Sequence, residues 1–215
     1  MNWPKRFKKA KIESQITNNN MTVTIEKIQK LREKTLASMS DVKKALEETA
    51  GDEEKALEIL KKRGKIIADK KSARETKAGL IASYIHSNGK VGALLELKCE
   101  TDFVAQNEEF KSLAHDLALH ITAMNPKYLK PEDVPSETIE KEKNMFREQT
   151  ASLNKPANVI DQIIDGKLNK YFDENCLLNQ KFVKNDEKSV KDLIVEYVAK
   201  IGENIEIGKF ARFEI

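Results

Sequence analysis

Apolar residues recur at two different spacings along this chain, and the two spacings predict helices and strands. Residues 24–63 carry three short stretches in which apolar residues lie three or four positions apart, as they do in amphipathic helices. Residues 80–86 and 91–99 alternate between apolar and polar positions, as half-buried strands do. Asn88-Gly89 separates these two runs, and Asn-Gly at such a place is a strong signal for a β-hairpin.

The second half of the chain returns to the helical spacing and ends in a strand. It predicts a helix that ends near Asn125, a pair of helices that begin at Ser136 and Pro156 and could pack as a hairpin, and a helix over 190–201. Residues 205–214 alternate again and predict a last strand. The fold class is therefore α+β, with a small three-helix unit followed by a core whose antiparallel sheet is covered by helices on one face.

Composition divides the chain into four segments. Residues 1–20 hold five basic residues against one Glu and lack an apolar period, so we interpret them as a basic extension. Residues 21–64 form the three-helix domain, residues 65–77 a charged linker that stays extended or helical, and residues 78–215 the α+β core. Met21 is an alternative start of the protein, and an organellar transit peptide is an alternative interpretation of the extension.

Charge and cysteine content indicate what kind of partner and which cellular compartment to expect. The net charge is +3, of which the extension contributes +4, so the remaining residues are close to neutral and favour a protein partner over direct nucleic-acid binding. The apolar runs are far shorter than the roughly 20 residues that cross a bilayer, so no membrane role is expected. Cys99 and Cys176 are too few for a disulfide framework, which favours the reducing cytoplasm.

The most informative stretch is Cys99–Asn107, where the strand pattern changes into a helical one. A strand-to-helix corner is short and held at both ends, so it can present side chains from a rigid platform. One interpretation makes Thr101 or Asp102 the N-cap of the helix and Phe103 a core residue. The other interpretation makes Asp102 and Phe103 a pair that projects toward a partner.

The amino-acid sequence of this stretch favours the second interpretation. Residues 99–105 read Cys-Glu-Thr-Asp-Phe-Val-Ala and closely resemble the most recognisable segment of translation elongation factor Ts, a family of guanine-nucleotide exchange factors for elongation factor Tu. Other stretches resemble the same family in the same order, namely Leu31–Thr35, Lys43–Leu46, Lys127–Pro135, Pro156–Leu168 and Lys200–Ile205. The resemblance implies a ubiquitin-associated-like fold for residues 21–64 and the short form of the family, which has a single core subdomain and tends to dimerise.

The resemblance also implies how the corner acts. In the family, the Asp-Phe corner inserts between two helices of elongation factor Tu and shifts the elements that support the Mg²⁺ and phosphate contacts of GDP. In this chain Asp102 and Phe103 would form the insert, and Thr101 and Val104 would shape it. The expected partner is elongation factor Tu, in its GDP-bound and nucleotide-free states. A second copy of the chain, in a homodimer, is the other expected partner.

A second contact is implied for the three-helix domain. In the family, an Arg of the first helix and a Met-containing turn contact the nucleotide-binding domain of elongation factor Tu, which corresponds here to Arg32 and Met39. The turn departs from the family's Gly-Ala-Gly-Met-Met-like pattern and reads Leu-Ala-Ser-Met-Ser over residues 36–40, so a contact by Ser40 stays open. Ser40 is also a candidate N-cap of the second helix. The alternative roles are a core gap-filler for Met39 and a solvated charge for Arg32.

Patterns for covalent chemistry and nucleotide binding are missing from the sequence. There is no Gly-x-x-x-x-Gly-Lys loop, and the spacing of His86, His115 and His120 does not suit a metal pair on one helix face, so we expect no catalytic residues, metal or cofactor. Two other function classes stay open. One is a ribosome- or RNA-associated protein that uses the basic arm of residues 1–20, and the other is a thiol enzyme based on Cys99.

Overall fold

The computed structural model describes residues 23–150 and 156–215. The basic extension predicted for residues 1–20 lies outside the described residues. The chain divides into two compact units. A helical unit contains the described residues up to Ala73 together with Val195–Gly202, and a sheet unit contains Arg74–Ile194 and Glu203–Ile215.

The elements follow one another in the mixed order that the two hydrophobic spacings predict. In chain order they are α1 (Ile25–Thr35), α2 (Met39–Glu48), α3 (Glu53–Lys71), β1 (Ala78–Ile85), β2 (Val91–Cys99), α4 (Asp102–Ala105), α5 (Glu108–Met124), a 3₁₀ turn (Pro131–Asp133), α6 (Ser136–Thr150), α7 (Ala157–Asn175), β3 (Lys181–Phe182), β4 (Asn185–Ser189), α8 (Val190–Ile201) and β5 (Ile205–Glu214). Within the described ranges, no helix has the length and apolar character needed to cross a membrane.

The helical unit contains three capped helices around a small apolar core, together with the last part of α8. Most of the apolar positions of the helical pattern are buried, namely Ile28, Leu31, Val42, Ala45, Leu46, Ala56 and Leu60. Ile25, at the first position of α1, is 70% exposed instead. Gly51, with φ of 85°, ends the α2 turn, and Asp52 caps α3 as the sequence predicts. The predicted cap of α2 was wrong, because Ser38 rather than Ser40 accepts the hydrogen bond from the Asp41 amide. Ser40 lies inside the first turn of α2 instead.

Helix α3 is longer than the three-helix pattern predicts and takes in much of the predicted linker. It runs past Arg63 and Gly64 to Lys71, and Ala68 is buried. The segment after Gly64 contains no proline, and its lysines, isoleucines and alanine are compatible with a helix. Lys70 and Lys71 also lie in the last turn, where the helix dipole favours positive charge.

The sheet unit is centred on an antiparallel sheet with the strand order β1-β2-β5. The predicted hairpin is present, and Gly89 adopts the positive φ of 67° that its turn requires. Helix α5 packs on β1 and β2. Its buried residues and those of β2 form the core, namely Ala93, Leu95, Leu97, Cys99, Phe110, Leu113, Ala114, Leu117 and Ile121. This arrangement confirms the α+β fold class.

The other face of the sheet carries exposed apolar side chains. The pairing places Ile85 opposite Gly92 and Gly92 opposite Phe213, so these three residues form one row across the sheet. Leu94 lies in the next row, between Ser83 and Ala211. Ile85, Leu94 and Phe213 are 71%, 47% and 66% exposed. We call the face formed by Ile81, Ile85, Leu94, Ala211 and Phe213 the outer sheet face.

A second region of the sheet unit joins α5 to a small hairpin that the sequence did not predict. Helices α6 and α7 pack together as predicted, and β3 and β4 follow them as a short antiparallel pair. The buried His120 ring links α5 to this pair, because its Nδ1 accepts from the Val183 amide at 3.1 Å and its Nε2 contacts Gln180 Oε1 at 3.0 Å. Since Nδ1 is an acceptor, the neutral ring carries its proton on Nε2 and donates it to Gln180.

Candidate partner-binding site

The corner between β2 and α4 is shaped by backbone capping. Strand β2 ends at Cys99, and Thr101 adopts an extended conformation with φ of −130° and ψ of 153° before the helix begins. The Thr101 hydroxyl accepts from the Val104 amide at 3.4 Å, which is the N-cap contact that the sequence predicts. The Cys99 thiol donates to the Thr101 carbonyl at 3.2 Å. The chain therefore changes direction within two residues.

The corner buries one pair of side chains and exposes another. Val104 and Ala105 are 5% and 9% exposed and face the core, whereas Asp102 is exposed and Phe103 is 82% exposed. The interpretation of Phe103 as a core residue was wrong. A four-residue helix has too few positions for a hydrophobic period, so the sequence pattern did not distinguish Phe103 from Val104. The corner thus presents an aromatic ring and a carboxylate from a fixed backbone.

Residues from the far end of the chain hold this corner in place. One carboxylate oxygen of Glu203 accepts from the backbone amides of Glu100 at 3.1 Å and Thr101 at 3.0 Å. The other oxygen accepts from the Thr101 hydroxyl at 2.7 Å. Sequence reasoning assigned no role to Glu203, because these residues are more than 100 positions apart and only the strand pairing brings them together.

The two candidate contact residues of the helical unit flank the turn between α1 and α2. Arg32 is exposed in the last turn of α1, and Met39 is 49% exposed at the first position of α2. The interpretation of Met39 as a core gap-filler was therefore wrong. Ser40 is exposed as well. The backbone between the two residues is fixed by Leu36, which has φ of 55° and donates its amide to the Arg32 carbonyl at 2.8 Å.

The other candidates for covalent chemistry or metal binding are Cys99 and the histidines. Cys99 is fully buried, and burial followed by the nearby Glu203 carboxylate raises the pKa of its thiol to about 11. A thiol that is protonated at neutral pH is a poor nucleophile, which disfavours the thiol-enzyme alternative. His86 and His115 are exposed. Across the described ranges, no group of three or more His, Cys, Asp or Glu side chains is arranged to hold a metal ion.

Comparison with known proteins decides the family. The family model described as Elongation factor TS matches residues 6–197 of this chain. This chain belongs to the elongation factor Ts family. The match covers α1 to α7, both strands of the hairpin and the Asp102–Phe103 corner, so the family resemblance of the short sequence stretches is confirmed over most of the chain.

Curated members of the elongation factor Ts family are similar over nearly their whole length. The protein named Elongation factor Ts from Thermosipho melanesiensis is 53% identical over 193 residues, which is 90% of this chain and 98% of the relative. Those from Thermotoga petrophila and Thermodesulfovibrio yellowstonii are 52% and 53% identical over 195 residues, which is 91% of this chain and 97% of each relative. These relatives are therefore chains of similar length. Their name places this family in translation elongation.

Proposed function

We propose that this protein is the guanine-nucleotide exchange factor of elongation factor Tu, and that it promotes GDP release and GTP reloading during translation elongation. The observation that carries the proposal is the exposed Asp102–Phe103 pair on a rigid corner, in a chain that belongs to the elongation factor Ts family. The partner is elongation factor Tu in its GDP-bound and nucleotide-free forms, and the compartment is the cytoplasm. The protein binds no cofactor of its own in this scheme.

The corner acts by insertion. GTPases hold GDP through a phosphate-binding loop and a Mg²⁺ ion whose surroundings include mobile switch segments. Phe103 enters between two helices of the partner and is buried there, which contributes about 2 kcal/mol for a fully buried aromatic side chain. Asp102 competes for polar groups that otherwise support the Mg²⁺ and phosphate contacts. Thr101 and Val104 keep the pair in its orientation from the protein side.

Exchange in this scheme is a coupling between two ligands of the same partner and involves no covalent step. If this protein weakens the binding of GDP to elongation factor Tu, GDP weakens the binding of this protein by the same factor. GTP entering the vacated site then displaces the protein. The cellular excess of GTP over GDP sets the direction. The role is therefore that of a binding protein and not of an enzyme with a chemical substrate.

The helical unit supplies a second contact. Arg32 can donate several hydrogen bonds to carboxylates or carbonyl groups of the partner, and Met39 offers a flexible apolar side chain that adapts to an irregular surface. Both side chains are exposed on either side of one turn. They grip the nucleotide-binding domain of elongation factor Tu and bring the corner to its target.

A homodimer through the outer sheet face is the second partner that we propose. Helices cover one face of the sheet, while the other presents large exposed apolar side chains such as Ile85, Leu94 and Phe213. A cluster of this kind favours burial against a like surface. Of the apolar residues at the end of the last strand, which the sequence suggests as a dimer surface, Phe213 and Ile215 are exposed. Phe210 is half-buried on the side of α5 because it pairs with Leu95, so it does not belong to this surface.

The coupling can be tested by measuring affinity for elongation factor Tu with and without GDP. The protein should bind the nucleotide-free form at least about tenfold more tightly than the GDP-bound form, within the usual range of allosteric coupling. Adding GDP to the preformed complex should release the protein, to an extent set by this difference in affinity. Equal affinity for the two forms would contradict the proposed function, because a ligand without differential affinity cannot shift the equilibrium.

A further inference from the structure

The pairing of β2 with β5 brings a specific acidic residue to the corner. The last pair of this ladder is Cys99 with Ile205, and the strands run antiparallel. Continuing the register by two residues places Thr101 opposite Glu203. The strands no longer pair there, so the backbone amides of Glu100 and Thr101 need acceptors other than a neighbouring strand.

The side chain of Glu203 takes the place of the missing strand. Its two oxygens accept from the Glu100 and Thr101 amides at 3.1 and 3.0 Å and from the Thr101 hydroxyl at 2.7 Å. Hydrogen bonds to a carboxylate are stronger than those between neutral groups. Helix α4 spans only four residues, too few to be stable alone. Its direction therefore depends on how the residues just before it are held.

Glu203 is itself held by the residues around it. The amide of Asn204 donates to the carboxylate of Glu100 at 2.6 Å, so the two segments bind each other reciprocally. The side chain of Asn204 is buried and donates to the Arg74 carbonyl at 2.9 Å. Glu203 and Asn204 lie in the sheet unit, as do their partners Glu100, Thr101 and Arg74. The carboxylate and the corner are therefore held within one unit.

We propose that Glu203 is a positioning residue for nucleotide exchange, which holds the corner so that Asp102 and Phe103 point into the partner. The inference rests on the proposed function, and it adds a residue outside the corner itself. A preorganised corner loses less conformational entropy on insertion than a mobile one. A small misplacement of an acting group can cost a large factor in rate. Glu203 thus affects exchange without touching the partner's nucleotide.

Substitutions at Glu203 separate positioning from a general effect on the fold. In Glu203→Ala all three hydrogen bonds are lost, and we expect the maximal rate of GDP release from elongation factor Tu to fall about tenfold. The half-saturating concentration should change by less than about twofold, since Arg32 and Met39 remain. Glu203→Gln should restore most of the rate. Its carbonyl oxygen can accept both amides, and its NH₂ group can donate to the Thr101 hydroxyl.

A matched control lies three residues further along the chain. Glu206 accepts from the Thr76 hydroxyl at 2.9 Å and from the Asn204 side chain at 3.1 Å, but none of its bonds reaches the corner. Glu206→Ala should therefore leave the rate within about twofold of wild type. Thermal unfolding of each variant confirms that the protein compared is folded. If Glu206→Ala lost as much rate as Glu203→Ala, the proposal would be overturned. The loss would then come from disturbing the whole segment between α8 and β5, and not from the bonds of Glu203 to the corner.

A double-mutant cycle with Phe103→Ala decides whether Glu203 acts through the corner. With Phe103 removed, Glu203→Ala should reduce the rate of GDP release by much less than in wild type. An equal reduction in both backgrounds would overturn the proposal, and so would a Glu203→Ala variant as active as wild type. If wild type itself fails to accelerate release, the proposed function fails, and the role of Glu203 in exchange fails with it.

Discussion

Two adjacent side chains at the corner have opposite environments. Phe103 is 82% exposed and Val104 is 5% exposed, although both are apolar and both lie in α4. The cap at Thr101 decides this, because it fixes where the helix starts and hence which side chain faces the core. An exposed aromatic ring on a fixed backbone offers a partner a large apolar surface at little cost in entropy.

Gly79 provides a residue-scale test of how tightly β1 lies against β2. A Cβ atom at this position would meet the Leu97 carbonyl oxygen and come within 2.9 Å of the Lys98 Cα. Neither backbone atom can move without disturbing the strand pairing. We expect Gly79→Ala to lower the free energy of unfolding of the sheet unit by about 2 kcal/mol, as overpacking does. Urea-induced unfolding followed by far-ultraviolet circular dichroism measures the change.

Gly166 is the matched control for this substitution. It lies within α7, and a Cβ atom there would have no heavy atom within 4 Å. Gly166→Ala should therefore raise stability by roughly 0.5–1 kcal/mol, the gain expected in a helix interior. If Gly79→Ala were as stable as wild type, the close approach of β1 to β2 would not be a feature of the protein in solution.

At the scale of elements, the sequence pattern was most informative where a period persists. The helix of residues 190–201 and the strand Val91–Cys99 are found at their predicted positions, because each repeats its apolar spacing several times. Strands β3 and β4 were missed, since β3 has two residues and β4 reads Asn-Asp-Glu-Lys-Ser, without an apolar alternation. The sequence pattern predicted that the third helix ends near Gly64, but α3 continues through Gly64 to Lys71. The burial of Ala68 in the added turns accompanies this extension.

The candidate site also contains residues that the sequence singles out and residues that it does not. A short motif in one stretch singles out Asp102 and Phe103 as candidates, and their role stays a prediction, whereas their exposure depends on the cap. The hydrogen bonds of Glu203 to the corner were not predicted, because they depend on the register between β2 and β5. An alternating pattern predicts that a strand exists but not which strand it pairs with. Contacts between distant segments of the chain were therefore outside what the pattern predicts.

The contact between α5 and the β3–β4 hairpin should make stability depend on pH. Burial lowers the pKa of His120 below its ordinary value of 6.5, and Nδ1 accepts from the Val183 amide only in the neutral ring. Below about pH 6.5 the unfolded chain binds a proton that the folded chain does not. The free energy of unfolding should therefore fall as the pH decreases from about 6.5 toward the lower pKa of the folded state.

This dependence is measured by urea unfolding at several pH values between about 5 and 8. His120→Gln cannot titrate at this position and should lose less stability than wild type over the acidic half of the range. His115→Gln is the control, because His115 is exposed on the same helix. Identical pH profiles for wild type and His120→Gln would contradict the assignment of His120 as a buried neutral residue.

At the scale of the whole molecule, the outer sheet face predicts the oligomeric state. Sedimentation velocity should show a dimer at micromolar concentrations, and Leu94→Asp should convert it to a monomer because a charge is then buried at the centre of the face. Ile66→Asp is the matched control, since Ile66 is a 53% exposed apolar residue of the helical unit. A wild-type monomer would contradict the proposed dimer, and so would equal dissociation of the two variants.

Release of a fluorescent GDP analogue from elongation factor Tu measures whether the Asp102–Phe103 corner drives nucleotide exchange. Wild type should accelerate release, whereas Phe103→Ala should lose about thirtyfold in rate, the equivalent of about 2 kcal/mol of lost burial. Asp102→Ala should also be impaired. Gln106→Ala, at the exposed C-cap position just after α4, should behave as wild type. A folded Phe103→Ala variant with the wild-type rate would show that the corner does not drive exchange.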